Sequence, residues 1–113
     1  MLRIDKPLAV GAVLAALLPA TGAIAAPPFN CSIAAEPAEI AICDSAELGL
    51  LDREMNRLYI DKRQALKASG KAALAETLRL EQRAFLKTRD ACGYDTACLM
   101  GLYKKRNDLL GQP

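Results

Sequence analysis

Four cysteines, Cys31, Cys43, Cys92 and Cys98, are the residues of this 113-residue chain whose type and number could do chemistry. Thiols bind metals, exchange with disulfides or close structural bridges, and spacing separates these uses. A four-cysteine zinc site is usually built from two C-x2–4-C pairs, and a thioredoxin-like redox site from C-x-x-C. The chain offers C-x11-C and C-x5-C instead, and the twin C-x9-C pattern of mitochondrial import substrates is absent too. It has no His, which removes the commonest general base and the commonest metal ligand together. No Ser or Cys nucleophile stands beside a plausible base. Glu76 and Glu81 share a neighbourhood, but paired-carboxylate chemistry needs a cleft to hold its substrate. The expectation is no enzyme activity, no metal and no cofactor, with the four cysteines in structural disulfides.

Disulfides persist in oxidising compartments, so the N-terminus matters. Arg3 and Lys6 precede an apolar run from Leu8 to Ala20 that is interrupted by Gly11 and Pro19. Ala23-Ile24-Ala25 then places small residues at the −3 and −1 positions of a cleavage site. Basic start, apolar middle and small-residue exit make a secretory signal, with Asp5 as a departure. The apolar run is shorter than the ~20 residues that span a bilayer. A lipoprotein would need a cysteine at the cleavage point, and Cys31 follows Pro27-Pro28-Phe29-Asn30. The reading is a signal peptide over 1–25, cleaved after Ala25, and one domain over 26–113, periplasmic or secreted, with no stable membrane anchor after cleavage. Asn30-Cys31-Ser32 fits a glycosylation sequon, which a disulfide at Cys31 would hinder.

The 88 residues left form a small domain, for which disulfides are a common supplement to the core. The leader holds Arg3, Lys6 and Asp5, so 13 basic and 12 acidic residues remain and the net charge is +1. No basic surplus points to nucleic acid.

The elements that position the cysteines read as helices. Leu48, Leu51, Met55, Leu58, Tyr59, Ala65 and Leu66 recur mostly at three- and four-residue steps. Asp44-Ser45-Ala46-Glu47 reads as a capping box with Asp44 as the cap. This helix is expected to run to about Ala68, where Ser69-Gly70 stops it. A second spans about Lys71 to Ala91, with Leu74, Ala75, Leu78, Phe85 and Leu86 on its apolar face and Leu80 and Ala84 off it. Gly93 ends it. Asp95 or Thr96 caps a last helix carrying Leu99, Met100, Leu102, Tyr103, Leu109 and Leu110. Pro37 suits the first turn of a short helix through Ala41. The fold class is all-α: an antiparallel helical hairpin closed at Ser69-Gly70, with short N- and C-terminal helices and two disulfides.

Such a hairpin brings Cys43 and Cys92 to the end away from Gly70. It favours a nested pairing, Cys43–Cys92 inside Cys31–Cys98. The sequential alternative, Cys31–Cys43 with Cys92–Cys98, would staple two local loops and leave the hairpin open; connectivity is not fixed by sequence.

Three stretches look like a known family. They are Phe29-Asn30-Cys31; Glu39-Ile40-Ala41-Ile42-Cys43, continued by Leu48 and Leu51-Asp52-Arg53-Glu54-Met55 to Tyr59; and Glu81-Gln82-Arg83-Ala84-Phe85-Leu86-Lys87-Thr88-Arg89-Asp90-Ala91-Cys92-Gly93, followed by Ala97-Cys98-Leu99 and Tyr103. Together they resemble the N-terminal domain of the LprI-type lysozyme inhibitors, small exported bacterial domains, over about residues 29–110. Two departures are Phe85, where the family usually has Trp, and Tyr94, where it has an acidic or small residue. The resemblance implies an exported protein-binding domain of the bacterial cell envelope, with stoichiometric lysozyme inhibition as its most concrete form. A structural or stress-related envelope protein without an enzyme target is the alternative. Animal-type lysozymes are strongly basic, and a chain at +1 offers them no overall electrostatic steering, though a local acidic patch would.

Candidate partner-binding residues are Tyr94, Asp95, Arg89 and Arg83. The segment Cys92-Gly93-Tyr94-Asp95-Thr96-Ala97-Cys98 is short and presents an aromatic, and a pre-organised loop binds at lower entropic cost. Its plain reading is an interhelix turn with Tyr94 on the core edge. The plain reading of Arg89 and Asp90 is ion pairing that fixes the disulfide end, with Asp52 or Glu54 as counter-charge. Lys104-Lys105-Arg106 reads as a solvated basic face.

Overall fold

Pro37, with its preset φ and missing N–H, opens the first helix of the domain, α1, Pro37–Asp44. The computed structural model describes residues 29–113; the expected signal peptide and its cleavage site lie outside them. A 3-10 turn, Cys31–Ile33, precedes α1, and the Asn30 side chain caps it by accepting from the Ser32 N–H at 2.9 Å. Three longer helices follow: α2, Ala46–Ala68, α3, Ala72–Ala91, and α4, Thr96–Leu110. Among the described residues there is no strand.

The expected boundaries of α2, α3 and α4 agree with these to within a residue or two. The cap of α2 does not. α1 continues past Ala41 through Asp44, so the extended residue between the helices is Ser45, whose hydroxyl accepts from the Leu48 N–H at 3.1 Å. Asp44 belongs to the end of α1. Asp95 caps α4, accepting from the Cys98 N–H at 3.0 Å.

Gly70 takes φ 75° between α2 and α3, and Gly93 takes φ 58° between α3 and α4, the left-handed region that disfavours a side chain. Both reversals return the chain at once. Gln82 of α3 meets Met55 of α2, and Arg89 meets Asp52, the order of an antiparallel pair turning near Gly70. α4 runs back along α2: Tyr103 meets Asp52, Asn107 donates to the Leu51 carbonyl, and Lys62 donates to the Gln112 carbonyl. α1 packs on α2 and α3.

The core gathers Ala38 and Ile42 of α1, Leu48 and Met55 of α2, Leu78 of α3, and Leu99, Tyr103 and Leu110 of α4. Phe85 stands edge-on to Tyr103, centroids 5.5 Å apart. Leu74, expected on the apolar face of α3, is 54 % exposed. Leu109 is exposed as well.

The nested disulfide expectation is corrected. The bridges are Cys31–Cys43 and Cys92–Cys98, each with Cα atoms 5.8 Å apart. The reason is local. α1 buries Ala38, Ala41 and Ile42 and carries Cys43 past the edge of that face, where the 3-10 turn brings Cys31. At the other corner Gly93 reverses the chain and Asp95 starts α4, so Cys98 falls in the first turn of α4 over Cys92. Each bridge closes a helix corner. The hairpin itself is held by packing and by the polar cluster described next.

Candidate functional site

The buried polar residues Asp52, Arg89 and Tyr103 come from three helices and meet between them, and the half-buried Glu39 of α1 joins them. Asp52 falls one turn after Leu48 on the inward face of α2 and is fully buried. Tyr103 of α4 is fully buried too, and its hydroxyl donates to Asp52 Oδ1 at 2.6 Å. Arg89 of α3 is buried and stretched over three carboxylates. Its Nε and Nη2 donate to Asp90 Oδ1 at 3.0 and 2.8 Å, Nη2 reaches Glu39 Oε2 of α1 at 3.4 Å, and Nη1 stands 3.9 Å from Asp52 Oδ1. The Phe29 ring lies under this guanidinium, 5.6 Å from its centre.

Burial and pairing set the charges. Burial raises the Asp52 pKa; the Tyr103 hydrogen bond and Arg89 oppose it, and Glu39 adds to it. Burial also raises the Tyr103 pKa, with the Asp52 carboxylate as the second cause. For Arg89 burial works against the charge, and the hydrogen bond to Asp90 helps to outweigh it, so its pKa is raised. Breaking such a buried set by deleting one partner costs about 3–5 kcal/mol, because the remaining charge stays desolvated.

The cluster borders a pocket of about 230 Å³. Glu39, Asp52, Asn56, Gln82 and Arg89 supply its polar lining, and Phe29, Met55 and Leu86 its apolar walls. Among the described residues no donor reaches Asp52 Oδ2.

The four expected partner residues part company. Tyr94 is 64 % exposed on the α3–α4 corner, and Asp95 and Arg83 are exposed as well. Asp95 also serves as the α4 cap. Arg89 is 5 % exposed and committed to the cluster, so it holds the helices together and shows almost no surface. In the basic run, Lys104 and Lys105 are exposed, whereas Arg106 is half-buried over the Phe85 ring and donates to Gln82 Oε1 at 2.9 Å. Burial lowers its pKa.

Tyr103 was expected as an apolar core residue and Asp52 as one optional counter-charge; their direct bond, and the part of Glu39 and Gln82, were missed. A signal was present for Asp52, which sits within the stripe from Leu48 to Met55.

Fold and site define a small, disulfide-closed helical scaffold with a charged cluster held between its helices. The family model described as Lysozyme inhibitor LprI matches residues 31–111, a span that takes in all four helices, and the chain belongs to this family. Neither a curated protein nor a solved structure matches the chain.

Proposed function

We propose that this protein is exported, loses residues 1–25, and acts in the periplasm or outside the cell as a stoichiometric inhibitor of lysozyme. The family match over 31–111 carries the reading. Two disulfides agree with an oxidising compartment. No described helix is long and apolar enough to cross a membrane.

Charge distribution supports a basic partner despite the near-neutral total. From Phe29 to Asp52 the chain holds Glu36, Glu39, Asp44, Glu47 and Asp52 and no Lys or Arg. Glu36, Asp44 and Glu47 are exposed. An acidic segment of this kind raises the rate of association with a basic enzyme. Tyr94, on its disulfide-closed corner, is the proposed aromatic anchor, with Asp95 and Arg83 as further polar contacts.

The test adds oxidised protein to chicken-type lysozyme acting on cell-wall substrate. Inhibition should saturate near one inhibitor per enzyme, and Tyr94→Ala should weaken it by about tenfold with an unchanged melting temperature. Undiminished lysis at several-fold excess would remove lysozyme of this class as the target.

A further inference from the structure

Beside Arg89 the carboxylates outnumber the cations. Glu39, Asp52 and Asp90 share a single guanidinium, and its two closest contacts both go to Asp90. Glu39 is held at 3.4 Å and Asp52 at 3.9 Å. Asp52 is fully buried, yet its Oδ2 meets no donor among the described residues, and the residue lines the pocket. A buried carboxylate oxygen without a partner is costly.

We propose that this pocket receives a lysine side chain from a protein partner. Asp52 Oδ1 is already taken by Tyr103, so Asp52 offers one acceptor atom rather than a two-oxygen fork. A planar guanidinium prefers the fork, whereas an ammonium is a compact charge with three rotatable donors. Asp52 Oδ2, the Glu39 carboxylate and the Asn56 side-chain carbonyl can serve those donors. Phe29, Met55 and Leu86 form apolar walls suited to the four-carbon stem. The inference rests on the inhibitor reading for its partner, a basic protein such as lysozyme, and adds the contact by which that partner is held.

The test follows the backbone amide NMR signals of the oxidised, processed protein during titration with n-butylammonium, n-butylguanidinium and n-butanol. Saturable shifts at Glu39, Asp52 and Asn56 are expected with butylammonium, with a Kd on the order of 1 mM for so small a ligand. Butylguanidinium should bind more weakly, and butanol should give no saturable shift. Glu39→Gln should weaken butylammonium at least fivefold while leaving the helical circular dichroism intact. Equal response to butanol, or no saturable shift with butylammonium, overturns the proposal. Lysozyme inhibition separates it from the reading beneath it. A fivefold loss of inhibition in Glu39→Gln supports the lysine contact. Full inhibition by Glu39→Gln overturns that contact and leaves the inhibitor intact. Butylammonium binding by a protein that never inhibits lysozyme keeps the cation pocket and overturns lysozyme as its partner.

Discussion

Tyr103→Phe removes one oxygen atom from the centre of the protein and tests what holds the helices together. The ring stays, with its edge contact to Phe85 and its full burial. The loss is the 2.6 Å hydrogen bond to Asp52. Asp52 Oδ2 has no donor among the described residues, and the nearest guanidinium nitrogen is 3.9 Å from Oδ1, so no short contact takes over. A hydrogen bond to a charged group contributes about 1.5–3 kcal/mol, and full burial places this one near the upper half, at about 2–3 kcal/mol. In a domain of this size that is a fall in melting temperature of about 10–20 °C. The pH dependence follows from the same bond. In the folded protein Tyr103 lowers the Asp52 pKa while burial raises it. Without the hydroxyl the folded-state pKa rises further, and protonation relieves the desolvated charge. The deficit should therefore be largest at pH 7 and shrink towards pH 4, as the carboxyl takes up its proton. Urea denaturation of oxidised wild type and variant, followed at 222 nm at both pH values, measures it. A difference below about 0.5 kcal/mol at pH 7, or one of equal size at pH 4, would refute a Tyr103–Asp52 bond at the core.

Asp52→Asn keeps an acceptor for Tyr103 and removes the titration. A raised folded-state pKa gives stability that is fully present below the ordinary value of 3.8 and is lost as pH rises through the folded value. Wild type should thus lose more stability than the Asn variant between pH 4 and pH 7 by thermal melting, and parallel curves would contradict this. A peptide map of the unreduced protein should yield the Cys31–Cys43 and Cys92–Cys98 pairs; a Cys43–Cys92 fragment would restore the nested arrangement. Replacing each pair by Ser should cost about 3 kcal/mol for the loop of sequence separation 12 and about 2 kcal/mol for that of 6, measured by urea unfolding. Gly93→Ala should cost about 1–2 kcal/mol from the positive φ, since a Cβ there meets no atom within 4 Å; a neutral effect would mean that the corner relaxes.

Helix type, extent and the two reversals were legible because they rest on local rules. Leu48, Met55 and Leu78 keep helical spacing, Pro37 and Asp95 mark starts, and Gly70 and Gly93 mark stops. The cap lies at Ser45, one residue beyond Asp44, because α1 runs on to Asp44, and helix length is set by what α1 packs against. Leu74 keeps the spacing of the apolar face yet is exposed, since spacing alone does not reveal which side of a helix a neighbour covers.

The amino-acid order by itself determined four helices, their direction changes at Gly70 and Gly93, and the family signature through Arg89-Asp90-Ala91-Cys92-Gly93. Tertiary structure decided which cysteines meet and which charges are buried. Pairing depends on where each Sγ points at a helix corner, a rotation of about 100° per residue. One step past Ile42 turns Cys43 from the α2–α3 seam towards Cys31. Burial of Asp52 and Arg89, with Glu39 against them, depends on three helices closing together at once. Each reads on its own helix as a polar residue fit for water, and the partners that make its burial tolerable lie 37 to 50 positions away in the chain.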